Sequence, residues 1–122
     1  MPDITKEAYE HFERVIYNPL LIIVLEKDID SMQHLPFKFR NIYVNLLKRA
    51  LKQMKRDLKE SSIYLVRHNM RLVRDKPGLE STKYTLISMG YEEHLTYANE
   101  EIKKKSEEML SSYLMERNTA EK

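Results

Sequence analysis

The sequence predicts a mainly α, α+β fold: a small antiparallel helical bundle around one long central helix, with an inserted β-hairpin. Three observations carry this. After Pro36, the stretch to Asn69 contains no Gly or Pro and repeats apolar residues at steps of three and four, the period of an α-helix. Two apolar-periodic stretches precede it and one follows. Between Met70 and Met89 the pattern shifts to short β-branched and aromatic runs around Pro77-Gly78, a strong turn signal.

The first helix is expected over about 5–17. Ile4, Ala8, Phe12, Val15 and Ile16 share a face, with Tyr9 at its edge. Thr5 is suited to cap it, and Glu7 favours its positive end. Asn18-Pro19 then reads as a break, because proline disfavours helical geometry in the residue before it. With Asn18 as cap and Pro19 as first residue, a second helix runs over 19–33. Its opening LLIIVL is apolar on all sides, which predicts a position at the centre of the fold. Glu26, Asp28 and Asp30 return it to the surface, where they can face the bases of the next helix.

The central helix is expected over 36–69. Pro36 suits a first helical position, and Phe39, Ile42, Tyr43, Leu46, Leu47, Ala50, Leu51, Met54, Leu58 and Leu65 form the inner stripe. Arg67 and His68 suit the carbonyl end, and Asn69 suits a left-handed stop. A hairpin follows over 70–89, from Met70–Arg74 and Thr82–Met89 joined through Lys76-Pro77-Gly78, with Gly90 at its exit. A competing reading makes 80–97 a helix, since Leu79, Lys83, Leu86, Ile87 and Tyr91 also fit steps of three and four. The last helix is expected over 99–117, capped by Asn99, with Ile102, Ser106, Met109, Leu110, Tyr113 and Leu114 inward. Residues from about Asn118 to Lys122 are expected to fray. The 122 residues suit one domain.

Net charge is +2, but its distribution is uneven. Residues 1–30 hold three bases against seven acids, 31–78 twelve against three, and 79–122 six against nine. Lys48, Arg49, Lys52, Lys55, Arg56 and Lys59 lie on the outer side of the central helix, and Arg71 and Arg74 lie on the hairpin. These eight are the candidate contacts for a protein partner or a nucleic acid. A solvated helix face accounts for the same six residues. Single-strand stacking requires aromatics among the bases; the helix face has none, and Tyr84 beside Arg71, Arg74 and Lys83 is the one patch that qualifies. The remaining tyrosines suit the core edge, ring inside and hydroxyl outside.

Enzyme chemistry finds little support. The chain has no Cys and two Gly, which excludes a thiolate site and a glycine-rich phosphate loop. HExxH is absent. His11 and Glu7 stand four apart and supply at most half a metal site, so no cofactor or metal is expected. The N-terminal segment is polar and acidic, and the longest apolar run, Leu20 to Leu25, is far short of the ~20 residues a bilayer requires. The expectation is a cytoplasmic, non-enzymatic interaction protein with no membrane contact, which binds a protein partner or itself; the alternative is a nucleic-acid-binding protein.

The segment IYVNLLKRALKQMKRDLKE, the hairpin with Tyr84, GYEE at Gly90–Glu93 and the ending EEMLSSYL together resemble the small YhjD-like proteins of spore-forming Firmicutes, over about Tyr17 to Leu114. The resemblance implies a cytoplasmic, sporulation-linked protein of unassigned biochemical role. It carries over no active-site residues.

Overall fold

The computed structural model describes residues 5–75 and 77–115. The expected roles of Ile4, of Lys76 in the turn and of the end of the last helix beyond Met115 lie outside these residues. Three helices and three strands follow in the order α1 (Lys6–Met32), α2 (Arg40–Arg67), β1 (Met70–Arg74), β2 (Ser81–Ser88), β3 (Tyr91–Ala98) and α3 (Asn99–Met115). The fold is thus α+β and mostly helical.

α1 replaces the two expected short helices. The Ala8 N–H donates to Thr5 Oγ1 at 3.1 Å, so the predicted cap forms. The predicted break does not: the helix continues through Pro19. Asn18 is fully buried and caps nothing. Its Nδ2 donates to the Met54 carbonyl (3.1 Å) and to the Tyr113 hydroxyl (3.0 Å). That hydroxyl donates to Asp57 Oδ2 (2.6 Å), and Gln53 Nε2 donates to Asp57 Oδ1 (2.9 Å). A polar chain therefore ties α1, α2 and α3 together around Asn18. Burial of Ile16, Tyr17, Leu21 and Leu25 on both sides of the proline holds α1 together where local preference would end it.

α2 begins at Arg40, four residues after the expected start. The residue before Pro36 is Leu35, which offers no side-chain acceptor for the first N–H groups, so Pro36 lies in the turn instead. Phe39, Ile42 and Tyr43, expected in the inner stripe, are exposed (60%, 63% and 46%). Inward packing starts at Val44 and continues through Ala50, Met54 and Leu65. Asn69 ends α2 with φ 55°, the left-handed conformation expected of it.

The sheet is an antiparallel meander in the order β1-β2-β3. Residues 81–88 and 91–98 are strands, so the helical alternative for 80–97 is wrong. Met89 (φ 51°) and Gly90 (φ 86°) form a two-residue turn of the kind that joins twisted strands, and Gly90 leads into β3, which the expected hairpin lacked. Asn99 does not use its side chain as a simple cap. Its Nδ2 donates to the Gly78 and Leu79 carbonyls and its Oδ1 accepts from Thr82 Oγ1, so it ties the β1–β2 loop to the start of α3.

The core has three parts. Leu21, Leu25 and Ile29 of α1 meet Val44, Ala50 and Met54 of α2, with Met109, Leu110 and Leu114 of α3 against them. Ala8, Phe12, Leu65 and Leu86 form a second part under the sheet, and Ile16, Tyr17 and Tyr84 a third. LLIIVL is not central on all sides: Ile23 and Val24 are about half exposed, because no described element covers the outer side of α1 there.

Burial pushes the Tyr17 hydroxyl up to about 12, with neighbouring Tyr97 and Glu13 adding to the shift. Burial likewise raises Tyr84 and Tyr97, with Arg74 opposing at Tyr84. Tyr113 is raised by burial and then by its bond to Asp57. The unfolded chain ionises these groups near 10.0, so the folded state holds protons that the unfolded state releases. Their stabilising contribution is complete below pH 10 and is lost as pH rises towards 12. The urea midpoint should fall across that window, and less steeply in a Tyr17→Phe variant. Identical profiles for the two proteins would remove Tyr17 from the account.

Candidate functional site

α2 turns its buried residues Ala50, Met54, Ser61 and Leu65 towards the rest of the protein. At about 100° per residue, Lys52, Arg56 and Lys59 project from the opposite side, flanked by Lys48 and Arg49, with Lys55 at its border towards α1. All six are exposed. Lys55 Nζ meets Glu26 Oε2 at 3.2 Å, the pairing expected between the acids of the preceding helix and these bases. Both partners are about half exposed, and a pair of this kind contributes at most ~1 kcal/mol. Lys48, Lys52, Arg56 and Lys59 make no salt bridge among the described residues.

Arg71 and Arg74 do not share a face. Three residues apart on a strand, they point to opposite sides of the sheet. Leu72 packs into the core, so Arg74 lies on the helix side, where it lines a cavity of about 540 Å³ with Tyr84, Thr82, Leu20 and Lys103. Arg71 is exposed on the outer side. Neither lines the groove that holds Arg56 and Lys59. Tyr84 cannot act as a stacking platform, because its ring is 3% exposed and packs against Ile16 and Tyr17.

Aromatic rings do meet bases, but elsewhere. A groove of about 530 Å³ opens between the first turns of α1 and the C-terminal half of α2. Arg56, Lys59 and Arg67 line it together with His11, Tyr64, His68, Glu7, Glu60 and Ile63. His11 stacks on Tyr64 with centroids 3.9 Å apart and planes at 17°, and Tyr64 stacks on His68 at 4.0 Å and 22°. His68 Nδ1 lies 2.9 Å from the Tyr64 carbonyl, which can only accept, so that nitrogen carries the proton. His11 Nδ1 lies 2.9 Å from Ser61 Oγ, and Arg14 donates to the same oxygen at 3.5 Å. Arg14 in turn lies 3.7 Å from Glu60. Ser61 is fully buried and links the two helices.

Sequence reasoning missed this ladder. Tyr64 and His68 stand four apart on one helix, which was a visible signal, but His11 is 53 residues before Tyr64 and reaches it only through the antiparallel pairing of α1 and α2. His11 and Glu7 line the same groove, yet among the described residues no group of three or more His, Asp or Glu side chains is placed to hold a metal. No described helix is long and apolar enough to cross a membrane.

The model of a family described as "YhjD protein" matches residues 3–118. An uncharacterized protein YhjD of Bacillus subtilis (strain 168) is 28% identical over 114 residues, covering 93% of this chain and 95% of that relative. No solved structure matches.

Proposed function

Because the chain belongs to the YhjD family, which brings no assigned activity with it, we propose from its geometry that it is a small non-enzymatic interaction protein that binds an anionic partner through α2. The observation that supports this best is the placement of Lys48, Arg49, Lys52, Lys55, Arg56 and Lys59: all exposed, on the side of α2 turned away from Ala50 and Met54. Glu26 supplies counter-charge to Lys55, and Lys48, Lys52, Arg56 and Lys59 make no salt bridge among the described residues. The non-enzymatic reading rests on the residues themselves, with no Cys, no glycine-rich loop and no HExxH. The cytoplasmic, sporulation-linked setting belongs to the same proposal and rests on the family resemblance.

Retention on immobilised heparin in low salt tests the reading. The wild-type chain should be retained and elute with rising salt, and a Lys48→Glu, Lys52→Glu, Arg56→Glu variant should elute much earlier. Passage of the wild-type chain straight through at low salt would defeat it. A second reading, nucleic-acid binding, is favoured by the His11–Tyr64–His68 ladder beside Arg56 and Lys59. Affinity for a mixed-sequence duplex or single strand would then fall linearly with the logarithm of salt.

A further inference from the structure

We propose that the turn between α1 and α2 seats this protein on an anionic lipid surface, with its apolar side chains entering the headgroup layer and Lys38 and Arg40 of the turn meeting the phosphates. The inference rests on the reading above that the chain binds an anionic partner, and names that partner. It replaces the expectation of no membrane contact, which the lack of a spanning helix among the described residues does not carry.

Large apolar side chains are exposed in several other places, but singly, as at Leu79, or in twos, as at Ile23 with Val24 and Ile63 with Val66. The turn is different. Leu35, Phe37, Phe39, Ile42 and Tyr43 are 40–63% exposed within nine residues. No residue from 33 to 43 belongs to any of the three core clusters. Exposed apolar clusters of this kind mark contact sites rather than packing errors. The cluster is ordered: Phe37 meets Tyr43 edge-on at 6.1 Å, and Arg40 donates to the Leu35 carbonyl at 3.3 Å. A surface already held in place loses less conformational freedom when it docks.

Charge selects the occupant. From Ser31 to Arg56 the chain has no Asp or Glu and carries Lys38, Arg40, Lys48, Arg49, Lys52, Lys55 and Arg56. Lys38 and Arg40 alternate with the two phenylalanines. Aromatic rings mixed with lysine and arginine at a projecting turn suit the interface of an anionic bilayer, where rings sit at headgroup depth and cations meet phosphates. The acids nearby are Asp28 and Asp30, both exposed near the end of α1. They oppose approach from the α1 side, so the membrane should meet the turn first.

The chain has no Trp, so Phe37→Trp installs a single reporter at an exposed position. Its emission should shift to the blue with phosphatidylcholine vesicles containing phosphatidylglycerol, and not with phosphatidylcholine alone. In co-sedimentation, a Phe37→Ser, Phe39→Ser, Ile42→Ser variant should lose about 100-fold in partition to the anionic vesicles, given the transfer free energy of three apolar side chains. An unchanged thermal midpoint would show that the variant folds. Equal partition of the two proteins would overturn the inference while leaving the α2 bases as the binding surface. So would retention on heparin or duplex without any vesicle binding. A dimer in light scattering that the same substitutions break would put a second copy on the turn and overturn it too. Failure on both heparin and vesicles would remove the underlying reading as well.

Discussion

Met54→Ala is expected to lower the unfolding free energy by about 2–5 kcal/mol, the usual cost of truncating a large buried side chain. Met54 has no exposed surface and sits where all three helices meet, between Leu21 and Leu25 of α1 and Met109, Leu110 and Tyr113 of α3. A cavity there cannot be filled by one helix moving alone, because Asn18 bonds the Met54 carbonyl and Tyr113 together. Met54→Leu, which nearly conserves volume, should cost under about 1.5 kcal/mol. Urea unfolding of the two variants measures both. A loss below ~1 kcal/mol for the alanine variant would mean that the helices do not converge at this residue.

Pro19→Ala is expected to act in the opposite direction and stabilise the protein by about 1–3 kcal/mol. Proline inside a helix removes the N–H that would reach the Val15 carbonyl and crowds that carbonyl with its ring, at ~3 kcal/mol relative to alanine. Part of the gain is returned, because alanine frees the unfolded chain by about 0.4–1 kcal/mol. Pro19 is only half-buried, so little packing is lost. The same urea experiment reads the result. A destabilised variant would show that the packing of Leu21 and Leu25 depends on the shape the proline imposes on α1.

These two residues mark where local signals and the fold agree and where they part. At Met54 they agree: the three-and-four spacing of Ala50, Met54, Leu58 and Leu65 placed α2 and its inner face correctly. At Asn18-Pro19 they part. A cap residue before a proline is a sound start signal, and it was overridden by the burial of Ile16, Tyr17, Leu21 and Leu25 and by the two bonds of the Asn18 amide. At Phe39, Ile42 and Tyr43 the spacing continues the inner stripe, but no other described element covers them. Periodicity identifies a face and says nothing about whether anything packs on it.

β3 was legible and was missed. Glu93, Leu95 and Tyr97 alternate with exposed residues after a two-residue turn, and Gly90 is a turn within the sheet rather than an exit from it. The candidate site divides in the same way. The exposure of the α2 bases followed from their positions opposite the inner stripe. The separation of Arg71 from Arg74 followed from the period of a strand and had not been applied to them.

The sequence by itself determined the helical and strand character of most of the chain, the inner face of α2, the caps at Thr5 and Asn69, and the outward bases from Lys48 to Lys59. All are set by neighbours within a few residues, through side-chain spacing and backbone preference. Tertiary structure decided the continuity of α1 through Pro19, the fate of Phe37, Phe39 and Ile42, and the stacking of His11 on Tyr64 and His68. Each depends on which surfaces meet across long stretches of chain, where burial free energy outweighs the local preferences that a sequence displays.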